Sequence, residues 1–370
     1  MQQPPAPAYI QAMAPYQAGK PIEELAREYG IDPADIIKLA SNENPLGCSA
    51  RVRDVLCEAA SVMHGRYPDP NGFDLKSDLA HHHDVPMECI TLGNGSNDLL
   101  ELISLAFLHE GSSAVYSAHA FAVYRLCTQA RGARHCCVPA KDLGHDLDAM
   151  LAAIEADTRV LFIANPNNPT GTYLDQTVLR GFLDEVLVRY GNQLVVVLDE
   201  AYNEYLDPEQ RGDSAAWIKQ YPNLIVTRSF SKAYGLAGVR VGYGLAQAAV
   251  TDLLNRVRQP FNVNAMAQLA ARAALQDRDF LSRTYEANRK GRRQLQEGFE
   301  ALGLSYVPSH TNFVLVRVGE AVHVHAELLR RGVIVRPTAG DGLPEYLRVS
   351  IGLPAENERL LQALGEVLHP

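Results

Sequence analysis

Short, largely apolar runs recur along this chain, alternating with longer helical patterns. The runs are Cys89–Leu92, Ser113–Tyr116, Val160–Ala164, Leu194–Leu198 and Leu224–Thr227. Between them, Asn97–Leu108, Phe121–Ala130, Leu174–Tyr190 and Asp213–Gln220 read as helices. A strand that is apolar at every position has no face to offer to water, so both of its faces must be covered. Such strands, alternating with helices, predict βαβ units around a buried, mostly parallel sheet, an α/β fold.

The last third of the chain changes character. A helix is expected over about 264–302, then SHTNFVLVRV, a helix at Glu320–Arg331, the runs GVIVRP and EYLRVSIG, and a terminal helix. That order suits a smaller α/β domain packed on the larger one. The expected organisation is an arm with one helix (1–37, including PIEELAREYGI), a large domain (38–262) and a small domain (263–370). The 370 residues accommodate this, at a prior of roughly 150 residues per domain. The cleft between the two domains is the expected ligand site.

Charge and cysteine usage exclude several classes of function. The net charge of −9 argues against nucleic acid or an anionic membrane as the main partner, although a local basic pocket is compatible with it. No apolar run approaches the roughly 20 residues of a membrane helix. MQQPPAPAYIQAM has no basic and apolar leader pattern. Six cysteines without a CxxC spacing offer neither a zinc ribbon nor a redox pair, and vicinal Cys136 and Cys137 read as reduced core residues of a cytoplasmic protein. His81, His82 and His83 are consecutive, so they do not share one face for a metal; a solvated loop is expected there, and no metal site anywhere.

The chemistry sits at the strand exits, where open α/β sheets bind ligands. Thr91–Asp98 (TLGNGSND) leaves a strand and opens a helix. Its small residues, hydroxyl and free N–H groups make an anion cradle of Gly95, Ser96 and Asn97. A third glycine is missing, so the cradle is not a dinucleotide fingerprint. RVLFIA ends in NPNNPTG, where Asn168 is held between prolines. LVVVL ends in Asp199, aimed into the crevice. LIVTRSF runs into Lys232, and a lysine held dry near other cations has a lowered pKa and attacks carbonyls. Ser229–Lys232 also matches S-x-x-K, but the partner motifs of that hydrolase class and a G-x-S-x-G elbow are both absent. An anion cradle, a hydrogen-bonding Asn, a buried carboxylate and an amine are together what pyridoxal phosphate requires. Ser229, Ser231 and Arg240 add phosphate contacts.

The motifs NPNNPTG, DEAY and SFSKAYGLAGVRVGY, in this order and spacing, resemble those of the fold-type I pyridoxal-phosphate aminotransferases, and the resemblance covers essentially the whole chain. SNENPLG, RYPDPNG, HTNF, GVIVRP and LRVSIG further resemble the histidinol-phosphate aminotransferase family. The resemblance implies a large domain with a mostly parallel central sheet flanked by helices, plus a smaller α/β domain. It makes Lys232 the lysine that carries the cofactor and shuttles the proton, and puts Asp199 on the ring nitrogen. Asn168 and Tyr202 go to the 3-hydroxyl oxygen, and Ser96, Ser229 and Arg240 to the phosphate. Phe121 takes the ring-stacking position, often Tyr in the family. Tyr67 is sent to the partner subunit's site, which implies a homodimer. Arg348 and Arg336 become the substrate-anion arginines and Tyr16 a substrate contact.

The implied reaction exchanges an amino group between L-histidinol phosphate and 2-oxoglutarate, giving imidazole-acetol phosphate and L-glutamate, and runs in reverse during histidine biosynthesis. Two guanidinium forks suit a site that must take both a phosphate ester and a dicarboxylate. The same motifs also serve aromatic-amino-acid aminotransferases and threonine-phosphate decarboxylases. A cofactor-binding regulator without catalysis is the rival outside the enzymes.

Overall fold

The computed structural model describes residues 5–16, 19–60 and 65–368. Its strands are β1 (Ile37–Leu39), β2 (Ile90–Gly93), β3 (Ser113–Ser117), β4 (Arg134–Val138), β5 (Thr158–Ala164) and β6 (Val195–Asp199), followed by β7 (Leu224–Ser229), β8 (Gly242–Ala246), β9 (Tyr306–Val307), β10 (Phe313–Arg317), β11 (Val333–Pro337) and β12 (Tyr346–Ser350). Seven of them form one sheet in the order β2-β8-β7-β6-β5-β3-β4. Neighbours from β4 to β7 pair in parallel, and only β8 runs against its neighbours.

The apolar runs are buried on both faces, as their composition requires. Leu161, Ile163, Val196, Leu198 and Val226 pack under one set of helices. Their alternates Val160, Phe162, Val195, Val197 and Ile225 pack under the other. Two strands lack this signature. β4 reads RHCCV and lies at the sheet edge, mostly in contact with water. β8 reads GYGLA, with two glycines and no β-branched residue, and is held by pairing on both sides.

The second sheet has the order β1-β11-β12-β10-β9. β1 pairs in parallel with β11, Lys38 opposite Ile334. The chain therefore enters the second sheet first and only then crosses to the larger one. A large domain starting at residue 38 cuts β1 in two. The reason lies outside the local sequence: β1 is three residues long and its partner is some three hundred positions away.

Three local expectations are corrected. The helix expected over 264–302 is two helices, Ala265–Leu275 and Arg278–Ala301. Asp277 breaks it by capping the second, its Oδ1 accepting the Phe280 N–H at 3.0 Å. The histidine run is not a loop but the last turn of the helix Phe73–His83, where His83 Nε2 lies 2.8 Å from the Tyr243 hydroxyl. Cys137 is exposed and Cys136 only partly buried, because they lie on the edge strand β4. All six cysteines are free thiols. Among the described residues no helix is long and apolar enough to cross a membrane, and no cluster of His, Cys, Asp and Glu is arranged to hold a metal.

Candidate active site

Four strand exits converge because the parallel strands end in register. Ala164 of β5 pairs with Asp199 of β6, and Asp199 with Thr227 of β7. Ser229 of β7 and Gly93 of β2 both pair with Gly242 of β8. Beyond this edge lies a cavity between the two sheets. It is lined by Ser96, Asn97, Phe121, Asn168, Asp199, Tyr202, Ser229, Ser231, Lys232, Arg240, Arg336, Arg348 and Tyr16. Every expected site residue but two is among them. Gly95 stands immediately behind Arg240. Tyr67 lies elsewhere, 81% exposed and stacked on Phe261 at 4.5 Å.

Lys232 follows β7 by three residues, and its Nζ donates to the Ser41 carbonyl oxygen at 3.0 Å. Burial brings its pKa down to about 8, helped by the charges of Arg348, Arg240 and Lys38 and opposed by Glu43. An amine so placed is partly neutral near physiological pH, which is the form that attacks a carbonyl.

Asp199 is 6% exposed. Its Oδ2 accepts the Tyr124 hydroxyl at 2.9 Å and its Oδ1 the Thr227 hydroxyl at 3.0 Å. Burial pushes this carboxyl above the usual carboxylate range, and the two hydroxyl donors pull the other way. Among the described residues no Lys, Arg or His forms an ion pair with it. The next side chain, Glu200, pairs with buried Arg228 at 2.6 Å and accepts the Ser214 hydroxyl.

The anion cradle is a helix start. Gly95 caps the helix Ser96–Phe107 with φ +89°, in the region that glycine adopts without strain. A Cβ there would overlap the Arg240 guanidinium. Arg240 itself has φ +64° and, among the described residues, donates only to the backbone carbonyls of Ala237 and Asn94. Among the described residues it forms no ion pair with a carboxylate.

The other wall comes from the second sheet. Arg348 donates from Nη1 to Asn168 Oδ1 at 2.6 Å and from Nη2 to the Ala40 carbonyl at 2.7 Å. Its buried Nε has no partner. The Arg336 guanidinium lies 5.7 Å from the centre of the Tyr16 ring.

Sequence reasoning missed three contributors. Asn42 donates from Nδ2 to the Tyr202 hydroxyl at 2.9 Å, while its own backbone is held by Ser350 and Asn312. SNENPLG marked its place but not its role. Thr227 was legible once β6 and β7 were aligned, since it stands beside Asp199. Nothing local marks Tyr124, which comes from the helix Ala122–Ala130.

An anion cradle, a buried unpaired carboxylate and a lysine of lowered pKa at the exits of a parallel sheet describe a carbonyl-cofactor enzyme. The model of the family "Aminotransferase class I and II" matches residues 34–364, and the chain belongs to that family. Within it, the similarity is to histidinol-phosphate aminotransferases. "Histidinol-phosphate aminotransferase 1" of Cupriavidus pinatubonensis is 56% identical over 366 residues, 98% of this chain and 96% of that protein. "Histidinol-phosphate aminotransferase 2" of Ralstonia nicotianae is 57% identical with the same coverage. Among solved structures, the histidinol-phosphate aminotransferase of Sinorhizobium meliloti in complex with pyridoxal-5'-phosphate superposes with a TM-score of 0.88 at 29% identity, over 98% of this chain and 97% of that one.

Proposed function

We propose that this chain is a pyridoxal-phosphate-dependent aminotransferase acting on L-histidinol phosphate and 2-oxoglutarate. One observation carries this reading furthest. Among the described residues, a single cavity holds a carboxylate with no cation partner, an arginine with no carboxylate partner and a lysine of lowered pKa. The cofactor would bring a protonated ring nitrogen to the first, a phosphate to the second and a carbonyl carbon to the third. Arg240, Ser96, Ser229, Ser231 and the N–H groups after Gly95 would hold its phosphate. Asp199 would hold its protonated ring nitrogen, Asn168 and Tyr202 its 3-hydroxyl oxygen, and Phe121 the face of its ring.

When bound, pyridoxal phosphate supplies an electrophilic carbonyl carbon and a ring that withdraws electrons from the substrate's α-carbon. Lys232, whose Nζ lies in the cavity as a partly neutral amine, would be the residue that holds the cofactor through its carbonyl carbon. The same Nζ would move the substrate's α-proton, acting as base and then as acid. Asp199 would keep the ring nitrogen protonated. Arg348 and Arg336 hold the phosphate ester in one half-reaction and a carboxylate of glutamate in the other. The family relatives at 56–57% identity support the phosphate substrate over the aromatic amino acids and over threonine phosphate decarboxylation.

Two further parts belong to the same reading. Tyr67 completes the partner's site in a homodimer, which gives its exposed ring a place. The enzyme works in the cytoplasm, in keeping with six free thiols. The test is a half-reaction. Cofactor-loaded protein should lose its visible absorbance on adding glutamate and regain it with imidazole-acetol phosphate. A band indifferent to both would overturn the proposal.

A further inference from the structure

Tyr124 is more than a packing residue. Its ring is fully buried and stacks on Phe162, with centroids 4.6 Å apart and planes 6° from parallel. It also meets Phe121 edge-on at 6.0 Å. Phenylalanine would fill this space equally well. A buried hydroxyl costs stability unless it finds a partner, and the partner of this one is Oδ2 of Asp199. Burial holds the phenol well above its ordinary range, so it remains a neutral donor at working pH.

We propose that Tyr124 is a positioning residue for the reaction: its hydroxyl fixes the Asp199 carboxylate and sets how tightly that carboxylate competes for the proton on the cofactor's ring nitrogen. The proposal rests on the pyridoxal-phosphate reading above. A hydrogen bond to a carboxylate oxygen favours the charged form and lowers its proton affinity. With Tyr124 and Thr227 each holding one oxygen, the proton stays on the ring. Without the Tyr124 hydroxyl it moves toward Asp199, and the ring withdraws electrons less strongly. The Ala201 backbone N–H also donates to Asp199, but it is present with or without the Tyr124 hydroxyl, and the side chains facing Asp199 do not substitute. Glu200 is engaged by Arg228, and the Tyr202 hydroxyl by Asn42. Cys127, near Tyr124, donates to the Tyr124 carbonyl.

The test uses the holoenzyme of Tyr124→Phe, which keeps the ring and removes only the oxygen. A less electron-poor ring makes the nitrogen that joins it to Lys232 more basic. The pH midpoint of the visible absorbance should therefore rise by about half a unit or more. kcat should fall about 10- to 100-fold, with KM within about threefold. Site-specific 3-fluorotyrosine at position 124, a stronger donor of the same shape, should move the midpoint down. A lower Tm with midpoint and kcat unchanged in Tyr124→Phe would overturn the proposal and leave Tyr124 a packing residue. Should Tyr124→Phe not fold, an unchanged midpoint in the fluorinated protein would overturn it instead. A wild-type protein with no lysine-bound absorbance band would overturn the cofactor reading itself, a separate and recognisable result.

Discussion

Arg336 and Arg348 stand directly opposite each other on the antiparallel strands β11 and β12, and both line the cavity. Like charges placed across a strand pair destabilise it, and the nearby Asp341 carboxyl offsets part of this for both guanidiniums. Burial, together with the Arg336 charge, lowers the Arg348 pKa. A doubly charged phosphate ester would interact with the pair more strongly than a single carboxylate does.

Arg336→Ala should therefore hurt the phosphate substrate selectively. Losing one guanidinium from a buried phosphate costs about 2–3 kcal/mol, on the order of 10²-fold in kcat/KM. An aromatic amino acid, with its one carboxylate on Arg348, should lose much less. Steady-state kinetics with both substrates check this. Equal losses would mean that Arg336 does not distinguish them.

Lys232 should show its lowered pKa when cofactor is added to the cofactor-free enzyme. The amine's pKa is about 8 in the folded protein, against an ordinary 10.5. Its neutral fraction therefore grows about tenfold per pH unit below 8 and levels off above it. Stopped-flow rates of covalent capture should follow that curve. The linkage has a matching sign. Between pH 8 and about 10 the unfolded chain binds the extra proton, so this group makes folding more favourable as pH rises. A capture rate still climbing above pH 10 would mean an ordinary exposed lysine. Lys232→Ala should abolish the borohydride-reducible attachment altogether, as peptide mapping would show.

Asp199→Asn should still bind cofactor, because Lys232 and the phosphate cradle remain. It should lose several kcal/mol of transition-state stabilisation, on the order of 10²–10⁴ in rate. Near-normal turnover would remove Asp199 from the chemistry.

Much of this site could be read from the chain because strand exits are local features. The runs Val160–Ala164 and Leu194–Leu198, which lead to Asn168 and Asp199, are apolar at every position, which only a doubly covered strand tolerates, and the run before Lys232 opens in the same way with Leu224–Val226. What stayed hidden depends on distant partners. Tyr124 looks like any core aromatic until its helix is laid beside Asp199. β1 has too few residues to declare itself and exists because β11 offers an open edge. The histidine run follows a helix whose apolar positions, Leu75 and Leu79, lie four apart, so the last turn simply continues it. The break at Asp277 was legible in principle, since an aspartate three residues before Phe280 is an ordinary cap, but an alanine-rich stretch on one side masked it.

Tyr67 gives the sharpest test of a shared site. In one subunit its ring is 81% exposed and outside the cavity. A severe variant at Tyr67, mixed with a Lys232→Ala, Arg240→Ala chain, should form hybrid dimers with one complete site. About a quarter of wild-type activity should return once subunits exchange. No recovery after proven exchange would assign Tyr67 to its own subunit's surface.

The most direct measurement is kcat/KM for histidinol phosphate beside that for phenylalanine and tyrosine, with 2-oxoglutarate as acceptor. Two facing arginines should favour the phosphate ester by at least about tenfold, or ~1.4 kcal/mol. Equal or faster turnover of the aromatic amino acids would contradict the proposed substrate, while leaving Lys232 and Asp199 in their roles.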